Sequence, residues 1–214
     1  MDVLARLDET RSANNVLEHP FYVRWSEGRL TADELASYAG QYRHAVCALA
    51  DASHAAAEAA EGRPFAAGLR RHAQEETSHV ALWEQFEGAL GTRDASARSE
   101  TLACASSWTA GDGLLEHLAV LYAIEGAQPE ISRTKLDGLA EHYGYSEEGP
   151  ATEYFRLHEQ LDVEHAAAAG ELIERLLGES EEPEAQAESM LARAEAALKG
   201  NWLLLDGVDE GRAA

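Results

Sequence analysis

The sequence predicts an all-α fold, a single domain over residues 1–214 forming one bundle of about seven helices, and three observations carry that prediction. Only five prolines interrupt the 214 residues. Long stretches rich in Ala, Glu, Leu and Arg run between them, and these are strong helix formers. Start and stop signals bound the stretches, with a capping residue or Pro at one end and Gly at the other.

The first residues, MDVLARLDETR, hold no apolar signal core, and nowhere does the chain reach the ~18 consecutive apolar residues of a membrane helix. Thr31-Ala-Asp-Glu34 reads as a capping box that opens a helix to about Glu61. Pro64 opens the next, which carries LRRHAQEETSHVALWEQF to about Leu90, where Gly91 stops it. Residues 91–111 are rich in turn formers and are expected to be the longest connection. A helix is expected from about Asp112 to Tyr143, closed by Gly144, with Pro129 kinking it just after Glu125. Pro150 and Gly178 bound another helix, and the acidic stretch Glu179–Glu184 is a turn. Pro183 opens the last helix, which ends near Asn201-WLLLDG. No internal repeat and no low-complexity linker is read.

The net charge of −22, from 17 basic and 39 acidic residues, argues against nucleic-acid and anionic-membrane partners, which need a basic surface. Two cysteines, Cys47 and Cys104, make no disulfide framework, so a reduced, cytoplasmic chain is expected.

The most informative segment is His158-x-x-x-Asp162-x-x-His165. Each helical residue advances about 100°, so these three side chains fall within about 60° of one another. Two imidazoles and a carboxylate on one line suit a transition metal with mixed nitrogen and oxygen ligation. A solvated acidic face would give the same stripe. A second, partial set lies upstream, where Glu75, Glu76 and His79 stand in QEETSH. Glu125 stands inside the apolar run LAVLYAIEGA. A carboxylate buried there without a cation or a proton costs several kcal/mol. Three helices thus supply the carboxylate and histidine inventory of bundle two-metal sites.

The segments HPFYVRWSEGRLTADELASYAGQY, EETSHVALWEQF, YAIEGAQPEISRTKLDGLAEHYG and YFRLHEQLDVEH resemble the haem-oxygenase-like di-metal oxidases and oxygenases. That superfamily also holds the TenA thiaminases and a pyrroloquinoline quinone synthase. Within it the segments resemble the CADD-like group, which forms p-aminobenzoate for folate. The likeness runs from about His19 to His165, with a weaker echo in WLLLDGV. It implies a haem-oxygenase-like bundle in which His79, Glu125, His158, Asp162 and His165 are metal ligands. It also asks for one further Glu ahead of His79, at a spacing about three residues longer than this chain has. Glu76, three residues before His79, forms the Glu-x-x-His pair of bundle di-metal sites; Glu75, four before it, also reaches. His72, one turn further up, reads as a residue behind the ligands or as a surface histidine with its own partner.

The resemblance also places Tyr22 where the group consumes a tyrosine and Lys135 where it draws an amino nitrogen. Taken alone, Tyr22 reads first as an ordinary core aromatic, and Lys135 equally as a surface lysine on a helix. A second tyrosine of the group, beside its middle Glu, is Ile124 here. The implied cofactor is two iron ions or an iron–manganese pair, with dioxygen as co-substrate, an external reductant, and a homodimer as the assembly. Hard carboxylates with neutral imidazoles and no thiolate suit Fe(II) or Mn(II). Trp83 and Phe86, on the face of His79, would keep such a centre dry.

Two other readings stand beside this one. A thiaminase needs a cysteine nucleophile with an activating base. Cys104 falls in the turn-rich connection, while Cys47 has His44 one turn before it. A non-enzymatic interaction protein would need no metal ligands at all.

Overall fold

The computed structural model describes residues 2–92 and 96–210. Its helices are α1 (Val3–Ala13), α2 (Pro20–Ser26), α3 (Ala32–Ala59), α4 (Ala66–Leu90), α5 (Ser99–Thr109), α6 (Leu114–Glu125), α7 (Gln128–Glu141), α8 (Glu153–Gly178) and α9 (Pro183–Glu210). A short 3-10 turn, Val16–Glu18, precedes α2, and no strand occurs among the described residues. The fold is the all-α bundle the sequence predicts, with nine helices among the described residues in place of about seven.

Local chemistry sets most of the helix ends. Asp2 caps α1 through the backbone N–H of Ala5 at 3.0 Å. The His19 Nδ1 accepts from the N–H of Phe21 at 3.0 Å, and Pro20 fills the first position of α2. Thr31 and Glu34 form the reciprocal capping box that opens α3. Gly91 closes α4 in the left-handed region at φ 69°, where a side chain would be strained.

Three expectations are corrected. Most of the stretch 91–111 is helix α5, not connection; its residues 93–95 lie outside the described residues. Thr101, Cys104 and Trp108 share one buried face against α3 and α9. That packing overrides the weak local preference of a Ser/Thr-rich segment. The helix expected over Asp112–Tyr143 is broken rather than kinked: α6 ends at Glu125, and α7 begins at Gln128 with Pro129 in its first turn. A proline lacks the N–H that would continue α6, so the chain restarts. The last helix continues beyond WLLLDG to Glu210, where Val208 extends the buried stripe of Leu204 and Leu205.

Helices α3 and α4 pack as neighbours, α8 lies against α4, α6 and α7, and α9 covers α5, α6 and α1. One hydrophobic core joins them. Its indoles are satisfied: Trp83 donates to the Ala39 carbonyl at 2.9 Å and Trp108 to the Ala197 carbonyl at 3.0 Å. No helix among the described residues is long and apolar enough to cross a membrane.

One close approach seats α7, the helix that carries Lys135. A Cβ built on Gly138 would stand 2.6 Å from Cδ1 of the buried Trp25 ring. Gly138→Ala is therefore expected to destabilise the fold by about 1–3 kcal/mol, since a packed indole must shift. Gly88, an exposed helical position with nothing near its Cβ, provides the control. Gly88→Ala should be neutral or stabilise by up to about 1 kcal/mol. Thermal denaturation of both variants checks the contrast; equal melting points would show that the α2–α7 approach is not tight.

Candidate metal centre

The centre lies between α4, α6 and α8, in the bundle interior. Helix α4 contributes His72, Glu76 and His79, one below the other on its inward face. Helix α8 contributes His158, Asp162 and His165 in the same way. Their rings pair across the gap in reverse order, His72 with His165 at 4.0 Å between centroids and His79 with His158 at 4.7 Å. The two helices therefore run antiparallel at this point. Glu125, at the last position of α6, closes the third side.

The ligand-type atoms fall into two groups, each within 4.8 Å throughout: His72, Glu76, Glu125 and His165, and Glu76, His79 and His158. Glu76 belongs to both. Its Oε1 is 3.0 Å from His79 Nδ1 and 3.8 Å from His165 Nδ1, and its Oε2 is 3.9 Å from His158 Nε2. Glu76 is 1 % exposed along its side chain, whereas Glu75 is 40 % exposed and touches only the outer nitrogen of His165, at 3.3 Å. Asp162 falls in neither tight group but is fully buried, with Oδ1 3.7 Å from His165 Nδ1. His72, weighed from sequence as a surface histidine or a residue behind the ligands, stands in the cluster itself. Its Nε2 lies 2.8 Å from Glu125 Oε1.

The donor set fits metal ions. Both oxygens of Asp162, Glu125 Oε2, His158 Nε2 and His165 Nδ1 are buried without a hydrogen-bond partner, while His72 Nε2 and Glu125 Oε1 face each other at 2.8 Å. Buried polar atoms in such number are otherwise costly. The imidazoles are also oriented from behind, as metal-binding histidines usually are. His158 Nδ1 donates to the Tyr154 carbonyl at 2.7 Å, which leaves Nε2 of the neutral ring as a lone pair facing inward. His165 turns Nε2 to Glu75 and Nδ1 to the centre.

Titration follows the crowding of charge. Burial raises the carboxyls of Glu125 and Asp162 above their ordinary range. Burial would raise Glu76 too, but the imidazoles of His158 and His79 beside it outweigh that and hold the carboxyl low. Burial disfavours charge on His72, yet Glu125 beside it lifts the ring to about 9. The cluster thus holds protons where divalent cations could sit, and metal binding would release them.

Tyr22 and Lys135 stand together in the core beside this centre. Lys135, read from sequence as a surface lysine or a reactive one, is 0 % exposed. Its Nζ is surrounded by rings, 4.8 Å from the centroids of Tyr42 and Phe155, 5.4 Å from Tyr38, 5.6 Å from Trp83 and 5.7 Å from Tyr22. Burial holds its amine well below the usual lysine range. The Tyr22 hydroxyl meets the Tyr38 hydroxyl at 3.1 Å, and burial keeps Tyr22 protonated. Tyr154 links box and centre, stacked on His158 at 3.9 Å and edge-on to Trp83 at 4.9 Å. Trp83 and Phe86 are fully buried between them.

Fold and site together define a helical bundle whose interior holds a metal-type cluster of histidines and carboxylates. The chain belongs to the haem-oxygenase-like family of iron-containing redox enzymes, whose model matches residues 36–198, and it is an oxidoreductase of that family. It is 32 % identical to a 4-aminobenzoate synthase of Nitrosomonas europaea, over 98 % of this chain and 92 % of the relative. A 4-aminobenzoate synthase of Chlamydia trachomatis is 35 % identical over 83 % of this chain and 81 % of its own. Among solved structures, a TenA homologue from Pseudomonas syringae superposes with a TM-score of 0.81 at 21 % identity, covering 97 % of this chain and 91 % of its own. That last likeness is one of fold.

Proposed function

We propose that the chain is a dioxygen-dependent di-metal oxidase that forms 4-aminobenzoate from its own Tyr22, with Lys135 giving the nitrogen. In this reading Glu76, His79, Glu125, His158, Asp162 and His165 hold two first-row ions, iron or iron with manganese. The metal pair supplies the electron transfer that makes dioxygen an oxidant, an external reductant providing the balance of electrons.

The observation that carries the reading is the fully buried amine of Lys135, held by burial well below the usual lysine range, in one aromatic box with Tyr22 next to the cluster. The relatives' activity supports it. The product is a benzene ring with nitrogen para to a carboxyl carbon. Tyr22 can supply the ring together with Cβ, and its phenolic oxygen stands where the nitrogen must enter. A neutral amine keeps the lone pair that nucleophilic attack on an oxidised ring requires. Tyr38 holds the Tyr22 hydroxyl, and Trp83, Phe86 and Phe155 exclude water from the space around it.

A TenA-type thiaminase would need an activated thiolate. Burial instead raises both thiols, Cys47 and more strongly Cys104.

Self-consumption has a mass signature. Iron-loaded protein given reductant and dioxygen should yield at most one 4-aminobenzoate per chain, and the peptide holding Tyr22 should lose the corresponding mass. Both Tyr22→Phe and Lys135→Ala should yield none. Repeated turnover with Tyr22 intact would show an external substrate instead.

A further inference from the structure

We propose that His72 is a seventh metal donor, so that the centre has an outer position made by His72, Glu76, Glu125 and His165 and an inner one made around His79 and His158. The inference rests on the metal reading above and goes beyond its six ligands.

Three observations carry it. The first is positional: His72-x-x-x-Glu76-x-x-His79 on α4 has the same spacing as His158-x-x-x-Asp162-x-x-His165 on α8. Because the helices are antiparallel, the first histidine of each motif faces the last of the other. His72 thus stands to the His165 end as His158 stands to the His79 end. The second is chemical. His72 Nε2 is buried among the ligand atoms and turned to two of the carboxylates, 2.8 Å from Glu125 Oε1 and 4.0 Å from Glu76 Oε1, so a proton shared there occupies the place a cation would take. Two carboxylates and two imidazoles so arranged surround a single point with four donors. That number and mixture suits a first-row divalent ion with positions left open. The third is access. A cavity of about 630 Å³ between α4, α6 and α8 is lined by His72 and His165 together with Leu69, Leu118, Leu121 and Leu161. His79, Glu125, His158 and Asp162 are not among its walls. The outer position thus faces the cavity that a small exogenous ligand of the metal would use, while the inner one is sealed.

Cobalt(II), added to the full chain without oxygen, tests this without turnover. Direct ligation produces strongly shifted histidine ring signals in proton spectra, whereas a histidine merely behind a ligand gives none. The wild type should bind two cobalt ions and show four shifted histidine rings. His72→Gln, similar in size, should lose one of the four and weaken one ion at least tenfold. His72→Glu, which restores a donor oxygen, should bind two ions again with three shifted rings. Three rings in the wild type, or an unchanged spectrum in His72→Gln, would overturn the assignment. A wild type with two ions and four rings that forms no 4-aminobenzoate would defeat the functional reading and leave His72 a ligand. No cobalt binding at all would defeat the metal reading and this assignment together.

Discussion

Glu76→Ala is expected to reduce metal content from two ions to less than one per chain and to cut oxygen-dependent product formation at least 100-fold, while the neighbouring Glu75→Ala retains both ions. The two residues are adjacent in sequence but different in place. Glu76 turns one oxygen to His79 at 3.0 Å and His165 at 3.8 Å, and the other to His158 at 3.9 Å. Among the described residues it is the carboxylate that belongs to both groups of ligand atoms, so it would serve both positions. Removing it takes a donor from each ion at once. Glu75 reaches only the back of the His165 ring, and its side chain is 40 % exposed. Losing such an orienting partner should weaken affinity by about tenfold, near the lower end of what residues behind metal ligands contribute. Elemental analysis after anaerobic Fe(II) loading, with circular dichroism to confirm the helices, reads both variants. Loss of metal in Glu75→Ala with retention in Glu76→Ala would reassign the carboxylate.

Much of this centre was legible because a helix writes its geometry into spacing. His158, Asp162 and His165 converge as their offsets require, and Glu125 stood out as a carboxylate in an apolar run. The i, i+3 relation to His79 favoured Glu76, which is the buried one of the pair. His72 is hard to place from the sequence because its position depends on two motifs compared in opposite directions. A reading that finds no internal repeat passes over so short an echo. Lys135 carried a subtler mark. Gln128, Ile131, Ser132, Lys135 and Leu139 form one buried stripe along α7, so helical phase puts the lysine inside although its residue type suggests the surface. Helix α5 was obscured because its Ser/Thr content speaks locally for turns, and only burial of Thr101, Cys104 and Trp108 decides otherwise. The sequence predicts only a kink where the chain breaks between α6 and α7. Its magnitude depends on how the restarted helix packs, which a proline by itself does not specify.

Lys135→Met is expected to abolish 4-aminobenzoate formation while making the protein more stable, a combination that an ordinary structural lysine would not give. Replacing buried ion pairs by apolar side chains of similar volume is often neutral or stabilising by roughly 1–4 kcal/mol, and removing the desolvated Lys135 amine should act in the same direction. For a chain of this size each kcal/mol raises the melting point by about 2–4 °C. The pH dependence carries the sharper test. Burial holds the folded amine well below its ordinary value of 10.5, so between those two values the unfolded chain binds a proton that the native chain does not. Wild-type stability contributed by this group therefore climbs as pH rises through that window, by about 1.4 kcal/mol per unit, and is fully regained only near the unfolded value. The methionine variant lacks that climb. Its advantage should be largest at the acid end, shrink steadily as pH rises, and be smallest near pH 10.5. Denaturant melts of both proteins across the same pH series measure the difference directly, because every other titrating group is common to the two. A variant less stable than the wild type at neutral pH, or an advantage that grows with pH, would mean that the five surrounding rings hold Lys135 as a cation. The amine would then lack the lone pair that the proposed reaction requires.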